Sequence, residues 1–230
     1  WGGVLALLLL ATAPHFLVIA CLIKYSVGET GLATSAVWAA LSYHRTERRR
    51  WLALSGLVLA ASLWVKPTTI IVGGVPLLAV WITEQTTQRR LVSVLLFATL
   101  IILPLAVGVL FCNPLGFFRQ FGLTYLRSRA AFQLGLLKNA RSLARYFMND
   151  KYQLSHVSLL LLGVYGWYTL WRRRSTEAIL LGVWLVVVTA TLLFHTPLYR
   201  HHLVQLLFPV AVLAGPGLER GFAALRTYPQ

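Results

Sequence analysis

"WLALSGLVLAASLWVKPTTIIVGGVPLLAVWIT", residues 51–83, is an apolar run whose only charge is Lys66. As one helix it would extend about 50 Å at about 1.5 Å per residue, against a hydrocarbon core about 30 Å thick. It would also place "HRTERRR" (44–50) and "EQTTQRR" (84–90) on opposite sides of a membrane, against the tendency of basic residues to gather on the cytoplasmic side. A fold-back at Lys66-Pro67 removes both difficulties. The residue before a proline is pushed out of the α region, so the break belongs there. A lysine at the bilayer centre costs roughly 2.5–3.5 kcal/mol, whereas at the tip of a hairpin its ammonium reaches the outer surface. Spans this short imply a tilted or locally thinned hairpin.

The rest of the chain threads outward from that hairpin. Its 230 residues are 58% hydrophobic with a mean hydropathy of +0.71, well above the apolar share of about 45–50% in soluble domains. The sequence predicts an all-α, polytopic transmembrane bundle of about seven or eight spans, forming one transmembrane domain over residues 1–230. Residues 28–43 descend to the basic 44–50 loop, and residues 91–111 ascend to a long outer segment, 112–153. Residues 155–171 descend to Arg172-Arg173-Arg174, residues 177–194 ascend to "HTPLYRHH" (195–202), and residues 203–217 descend to a tail with Arg220 and Arg226. Each short inner connection is basic, while the short outer ones carry only Lys24, Lys66 and Arg200.

The net charge of +15 therefore reflects topology and anionic membrane lipid rather than nucleic acid. The outer segment holds Arg119, Arg127, Arg129, Lys138, Arg141, Arg145 and Lys151, a departure that long loops tolerate. Phe118, Phe121, Tyr125, Phe132, Leu136, Leu143 and Phe147 interleave with them at broadly helical spacing, which predicts one or two amphipathic helices on the outer leaflet. Cys21 and Cys112 are too few and too isolated for a disulfide framework or a zinc site. The opening at Trp1, with neither an initiator methionine nor a charged leader, reads as a piece of a longer chain.

This topology gathers Lys24, Tyr25, Glu29, Lys66, His195, Tyr199, Arg200, His201 and His202 on the outer face. Ionisable groups at membrane depth point to function, and an outward, basic, aromatic-rimmed cavity suits a lipid phosphate. Each also has a structural reading. Lys66 can snorkel from a hairpin tip, and Glu29 can cap a helix beginning near Thr30. His195, His201 and His202 have no carboxylate or cysteine beside them, so they read as interfacial or substrate-touching groups, with no metal or cofactor implied.

"ATAPHFLVIACLIKYSVGETGLATSAVWAALSYHR" (11–45), a basic loop, and "LALSGLVLAASLWVKPTTII" (52–71) together resemble the integral-membrane glycosyltransferases of the GT-C class. The nearest types are the dolichyl-phosphate-mannose–protein mannosyltransferases and the bacterial aminoarabinose transferase of lipid A. "TPLYRHHLVQLLFPVAVLAGPGLER" (196–220) is similar to their last core helix. The resemblance implies a transferase of the cytoplasmic (plasma) membrane with its active site facing outward. The donor would be a polyprenyl-phosphate sugar, the acceptor a lipid, protein or glycan. Lys66 would contact the donor phosphate, assisted by Arg200, with Tyr199, His201 and Lys24 beside the substrate, and Glu29 would be the second acidic group of the site. The family's principal acid, in the first outer loop, would precede Trp1, and Glu29 stands where aspartate is more usual. Two other classes fit the same polar face: a transporter or flippase for lipid-linked sugars or other anions, and a non-catalytic partner of a glycan-assembly complex.

Overall fold

The computed structural model describes residues 25–111, 135–148, 153–194 and 202–226. They are almost wholly helical, with no strand among the described residues. They fall into two compact units. Unit I comprises Trp1–Thr30, Leu137–Leu193 and Tyr199–Gln230, and unit II comprises Gly31–Leu136 with Phe194–Leu198.

Unit II is built on the opening stretch. Helix α1 (Tyr25–Thr46) enters it at Gly31, and helix α2 (Arg49–Val65) comes after a tight corner. Small residues at Ala33, Ala36 and Ala40 leave a buried stripe on α1, the composition that lets helix backbones approach closely. The Ser55 hydroxyl donates to the Ala36 carbonyl at 2.8 Å and ties α2 to it. Glu47 closes the corner with φ 55, donating its N–H to Tyr43 O.

The chain breaks at Lys66. That residue is extended (φ −158, ψ 114), and α2 stops at Val65. The return is not purely α-helical. Residues Pro67–Gly73 form a 3-10 segment with the proline in its first turn, and helix α3 (Gly74–Thr83) completes the descent. The run of Thr68, Thr69, Ile70, Ile71 and Val72 explains the change, because β-branched residues crowd the preceding turn of an α-helix. A 3-10 helix rises about 2.0 Å per residue against about 1.5 Å, so this return covers about 29 Å. The return thus gains length by its 3-10 segment, while the 17 residues of α2 span about 26 Å. Gly73 lies back beside Leu59, since a Cβ there would approach its Cδ2 to 3.1 Å.

Helix α4 (Thr87–Phe111) then runs parallel to α2: Gly56 abuts Phe97 and Leu100, and Gly108 abuts Trp64. Only Ser93, Phe97 and Ile101 of α4 are buried. Leu91, Leu95, Ile102, Leu103, Leu110 and Phe111 are all exposed, an apolar surface suited to hydrocarbon.

Unit I contains helices α5 (Leu136–Met148), α6 (Gln153–Arg172), α7 (Thr176–Leu193) and α8 (Val204–Arg226), together with the start of α1. Its core is the α6–α8 crossing. Gly163 faces Val210, and Gly166 meets Leu213 and Gly217. The two helices therefore run in the same direction, with backbones nearly in contact. Helix α7 runs the other way, pinned by Trp167 Nε1 donating to the Ala178 carbonyl at 3.0 Å. Arg174, with φ 51, closes the α6–α7 corner.

Helix α5 buries Asn139, Leu143, Tyr146 and Phe147 and exposes Lys138, Arg141 and Arg145. Leu136, expected on the apolar face, is exposed. The Asn139 amide donates to the Leu193 carbonyl at 2.8 Å, holding α5 at the end of α7. The remainder of the 112–153 amphipathic segment lies largely outside the described residues.

Among the described residues, α4, α7 and α8 are long and apolar enough to cross a membrane, and Thr68–Thr83 forms a shorter apolar helix.

Candidate functional site

In unit I the polar groups collect at one end. Helices α6 and α8 start there and α7 finishes there, so Glu29, His202, Gln205, Asn139 and His156 share that end, while Arg172, Arg173 and Arg174 mark the other. Glu29 is buried at 3% exposure. The Gln205 side chain donates from Nε2 to both carboxylate oxygens, at 3.1 Å to Oε2 and 3.2 Å to Oε1. Helix α1 already runs from Tyr25, so Glu29 lies one turn inside it. The capping role considered from sequence does not hold, because the carboxylate turns to a neighbouring helix.

Helix α8 shapes the other half of this pair. Gln205 sits in its first turn, and Pro209 lies four residues further on inside the helix. Proline has no N–H, so the Gln205 carbonyl is released from the helical ladder beside its own side chain. His202, buried at 4% exposure, precedes α8 by one short turn. Elsewhere at this end, the His156 ring stacks on Tyr146 at 4.8 Å and meets Phe147 edge-on at 6.3 Å.

Chemically, this is a carboxylate among apolar helices with an amide fixing its orientation. Burial makes it costly to leave without hydrogen-bond donors. A carboxylate so held is able to accept a proton from a hydroxyl brought within hydrogen-bond reach.

In unit II, Lys66 stands half-buried at the break between α2 and the 3-10 segment. Its carbonyl accepts from the Thr69 hydroxyl at 2.7 Å and from the Thr69 N–H at 3.1 Å. These bonds hold the lysine backbone extended. The end of a helix also favours a cation, because unpaired carbonyls concentrate there.

The opposite end of unit II carries the basic loops. The Tyr43 hydroxyl donates to Glu84 Oε1 at 2.7 Å, and the Ser93 hydroxyl donates to the same oxygen at 2.8 Å. His44 Nδ1 lies 2.8 Å from Thr83 Oγ1. Both basic loops therefore sit at one end and Lys66 at the other, as the hairpin reading required. Burial pushes the Glu84 carboxyl up, but the Tyr43 and Ser93 hydroxyls, then Arg49 and Arg89, outweigh it and hold it below its ordinary range.

Of the residues singled out from sequence, Glu29 and His202 belong to unit I and Lys66 to unit II. Lys24, His195, Tyr199, Arg200 and His201 lie outside the described residues, and only the backbone of Tyr25 is described. Gln205 and the Tyr43–Glu84–Ser93 cluster were not anticipated. The signal for Gln205 was an amide in an otherwise apolar helix start; Glu84 was hidden among loop charges. Among the described residues, no group of three or more histidine, cysteine, aspartate or glutamate side chains is placed to hold a metal.

The described residues are almost wholly helical, and three of their helices are long and apolar enough to span a membrane. No family model, curated protein or solved structure matches the chain.

Proposed function

We propose that the protein is a polytopic glycosyltransferase of the plasma membrane. It moves a sugar from a polyprenyl-phosphate-linked donor to a lipid, protein or glycan acceptor on the extracytoplasmic face. The observation that supports this most is the buried Glu29 carboxylate oriented by Gln205. In this reading an acceptor hydroxyl attacks the anomeric carbon and gives up its proton to a carboxylate base, with Glu29 as the second acidic group of the site. The bond from that carbon to the phosphate oxygen breaks, and the polyprenyl phosphate leaves with the electron pair. Lys66 and Arg200 neutralise the charge that develops on it; Tyr199, His201 and Lys24 line the substrate.

The test measures sugar release from a panel of polyprenyl-phosphate sugars by the protein in membranes, with Lys66→Ala and Glu29→Gln variants. Loss of turnover by about 100-fold or more in Lys66→Ala, at unchanged folding, is the result expected of the cation that holds the donor phosphate, with a further loss in Glu29→Gln expected of an acidic group of the site. Movement of the donor across the bilayer without sugar transfer would overturn the reading in favour of a transporter.

A further inference from the structure

The basic end of unit II carries more cations than acids. Its two loops hold Arg45, Arg48, Arg49, Arg50, Arg89 and Arg90 against only Glu47 and Glu84. Two contacts bring these loops together, Tyr43 to Glu84 and His44 to Thr83, and Ser93 of α4 braces Glu84 from its own side. The single Glu84 carboxylate is already held by two hydroxyls, yet both Arg49 and Arg89 bear on it. Arg45, Arg48, Arg49, Arg50 and Arg89 are exposed.

Two of the arginines are set against aromatic faces. The Arg90 guanidinium lies 4.3 Å from the Trp81 ring centroid while its Nε donates to the Glu84 carbonyl at 2.7 Å. Arg50 lies 5.6 Å from the Trp51 ring. Trp81 is 64% exposed, and the apolar run of α4 begins at Leu91, directly after Arg90. Tryptophan at this level marks the headgroup boundary, and guanidinium groups match phosphate oxygens in pairs.

We propose that this corner is a binding site for an anionic phospholipid of the bilayer. The headgroup phosphate is held by Arg49 and Arg89, with the acyl region lying along Trp81 and the exposed face of α4. Charge complementarity selects the ligand: one lipid phosphate neutralises cations that the two loop acids leave in excess. The loops are rigid because Tyr43, Glu84 and Ser93 join three helical elements there, so the site is a fixed position and not a diffuse attraction.

The experiment is native mass spectrometry of the full chain in detergent, titrated with phosphatidylglycerol or phosphatidylcholine. Wild type is expected to retain phosphatidylglycerol in preference to phosphatidylcholine. An arginine near an anionic lipid surface contributes roughly a fivefold factor, so the triple variant Arg49→Gln/Arg89→Gln/Arg90→Gln is expected to bind about 100-fold more weakly. The triple lysine variant keeps the charge but not the paired guanidinium geometry, so it is expected to bind more weakly than wild type and more tightly than the glutamine variant, a check that holds even where the glutamine variant folds poorly. Arg172→Gln/Arg173→Gln/Arg174→Gln removes the same charge from unit I and leaves retention unchanged. Equal loss in both glutamine variants, no preference for phosphatidylglycerol, or full displacement by millimolar inorganic phosphate would each overturn the proposal.

Discussion

Tyr43 donates its hydroxyl to Glu84 across 2.7 Å, joining residues 41 positions apart in the chain. The bond connects the last turn of α1 to the residue that ends α3, and Ser93 of α4 adds a second hydroxyl to the same oxygen. One carboxylate thus fixes the end of the hairpin that residues 51–83 form.

A hydrogen bond to a charged group contributes about 1.5–3 kcal/mol. Tyr43→Phe is therefore expected to lower stability by about that amount. Chemical unfolding in a fixed detergent measures it, and Ser93→Ala should show a smaller loss because its bond to Glu84 joins residues only nine apart, whereas the Tyr43 bond ties α1 to the end of α3.

The Glu84 carboxyl is held below its ordinary value of 4.5. A depressed folded-state pKa gives stability that is present above the unfolded value and lost as pH falls through the folded one. Wild type should lose stability on acidification below about 4.5. The Glu84→Gln variant should start less stable and lose less over that window. Parallel pH slopes for the two proteins would contradict the assignment.

Gly166 has no room for a side chain, because a Cβ there would collide with the Leu213 carbonyl and crowd the Gly217 nitrogen. Both obstacles are backbone atoms and cannot rotate away. Gly166→Ala is expected to cost about 3 kcal/mol or more, the upper end for overpacking. Gly221 of the same crossing helix α8 has open space around it, so Gly221→Ala should gain up to about 1 kcal/mol from helix propensity. Thermal unfolding of the two variants side by side checks both signs.

Glu47 and Arg174 adopt φ 55 and φ 51 at the two tight helix corners. The left-handed region costs a residue with a Cβ roughly 1–2 kcal/mol, and glycine escapes that cost. Glu47→Gly and Arg174→Gly are each expected to raise stability by about 1 kcal/mol, read as a later unfolding midpoint in denaturant.

Gln205 supplies hydrogen bonds to both oxygens of buried Glu29. Gln205→Leu should destabilise by about 1.5–3 kcal/mol, and the loss should shrink when Glu29 is also glutamine. A double-mutant cycle isolates that coupling.

The break at Lys66 was legible because a proline restricts the residue before it whatever surrounds the chain. The apolar lengths of α4, α7 and α8 were legible for a similar reason, since they depend on composition alone. The character of the return was harder to read. The threonine, isoleucine and valine run signals poor α-helix, but only the folded backbone of Pro67–Gly73 shows that a 3-10 segment carries the chain back. Glu29 stood out as an acid at membrane depth, while its partner lies 176 residues away. No local pattern links Glu29 with Gln205, or Tyr43 with Glu84.

By itself, then, the sequence determined where the chain turns, which segments are apolar enough to enter a membrane, and how the basic loops alternate with them. These depend on backbone sterics and transfer energies that act residue by residue. The tertiary structure alone decided that Glu29 faces Gln205, that Glu84 gathers two hydroxyls, and that Gly166 takes a helix crossing. Those outcomes depend on which helix faces meet, and that is settled by packing between segments distant in the chain.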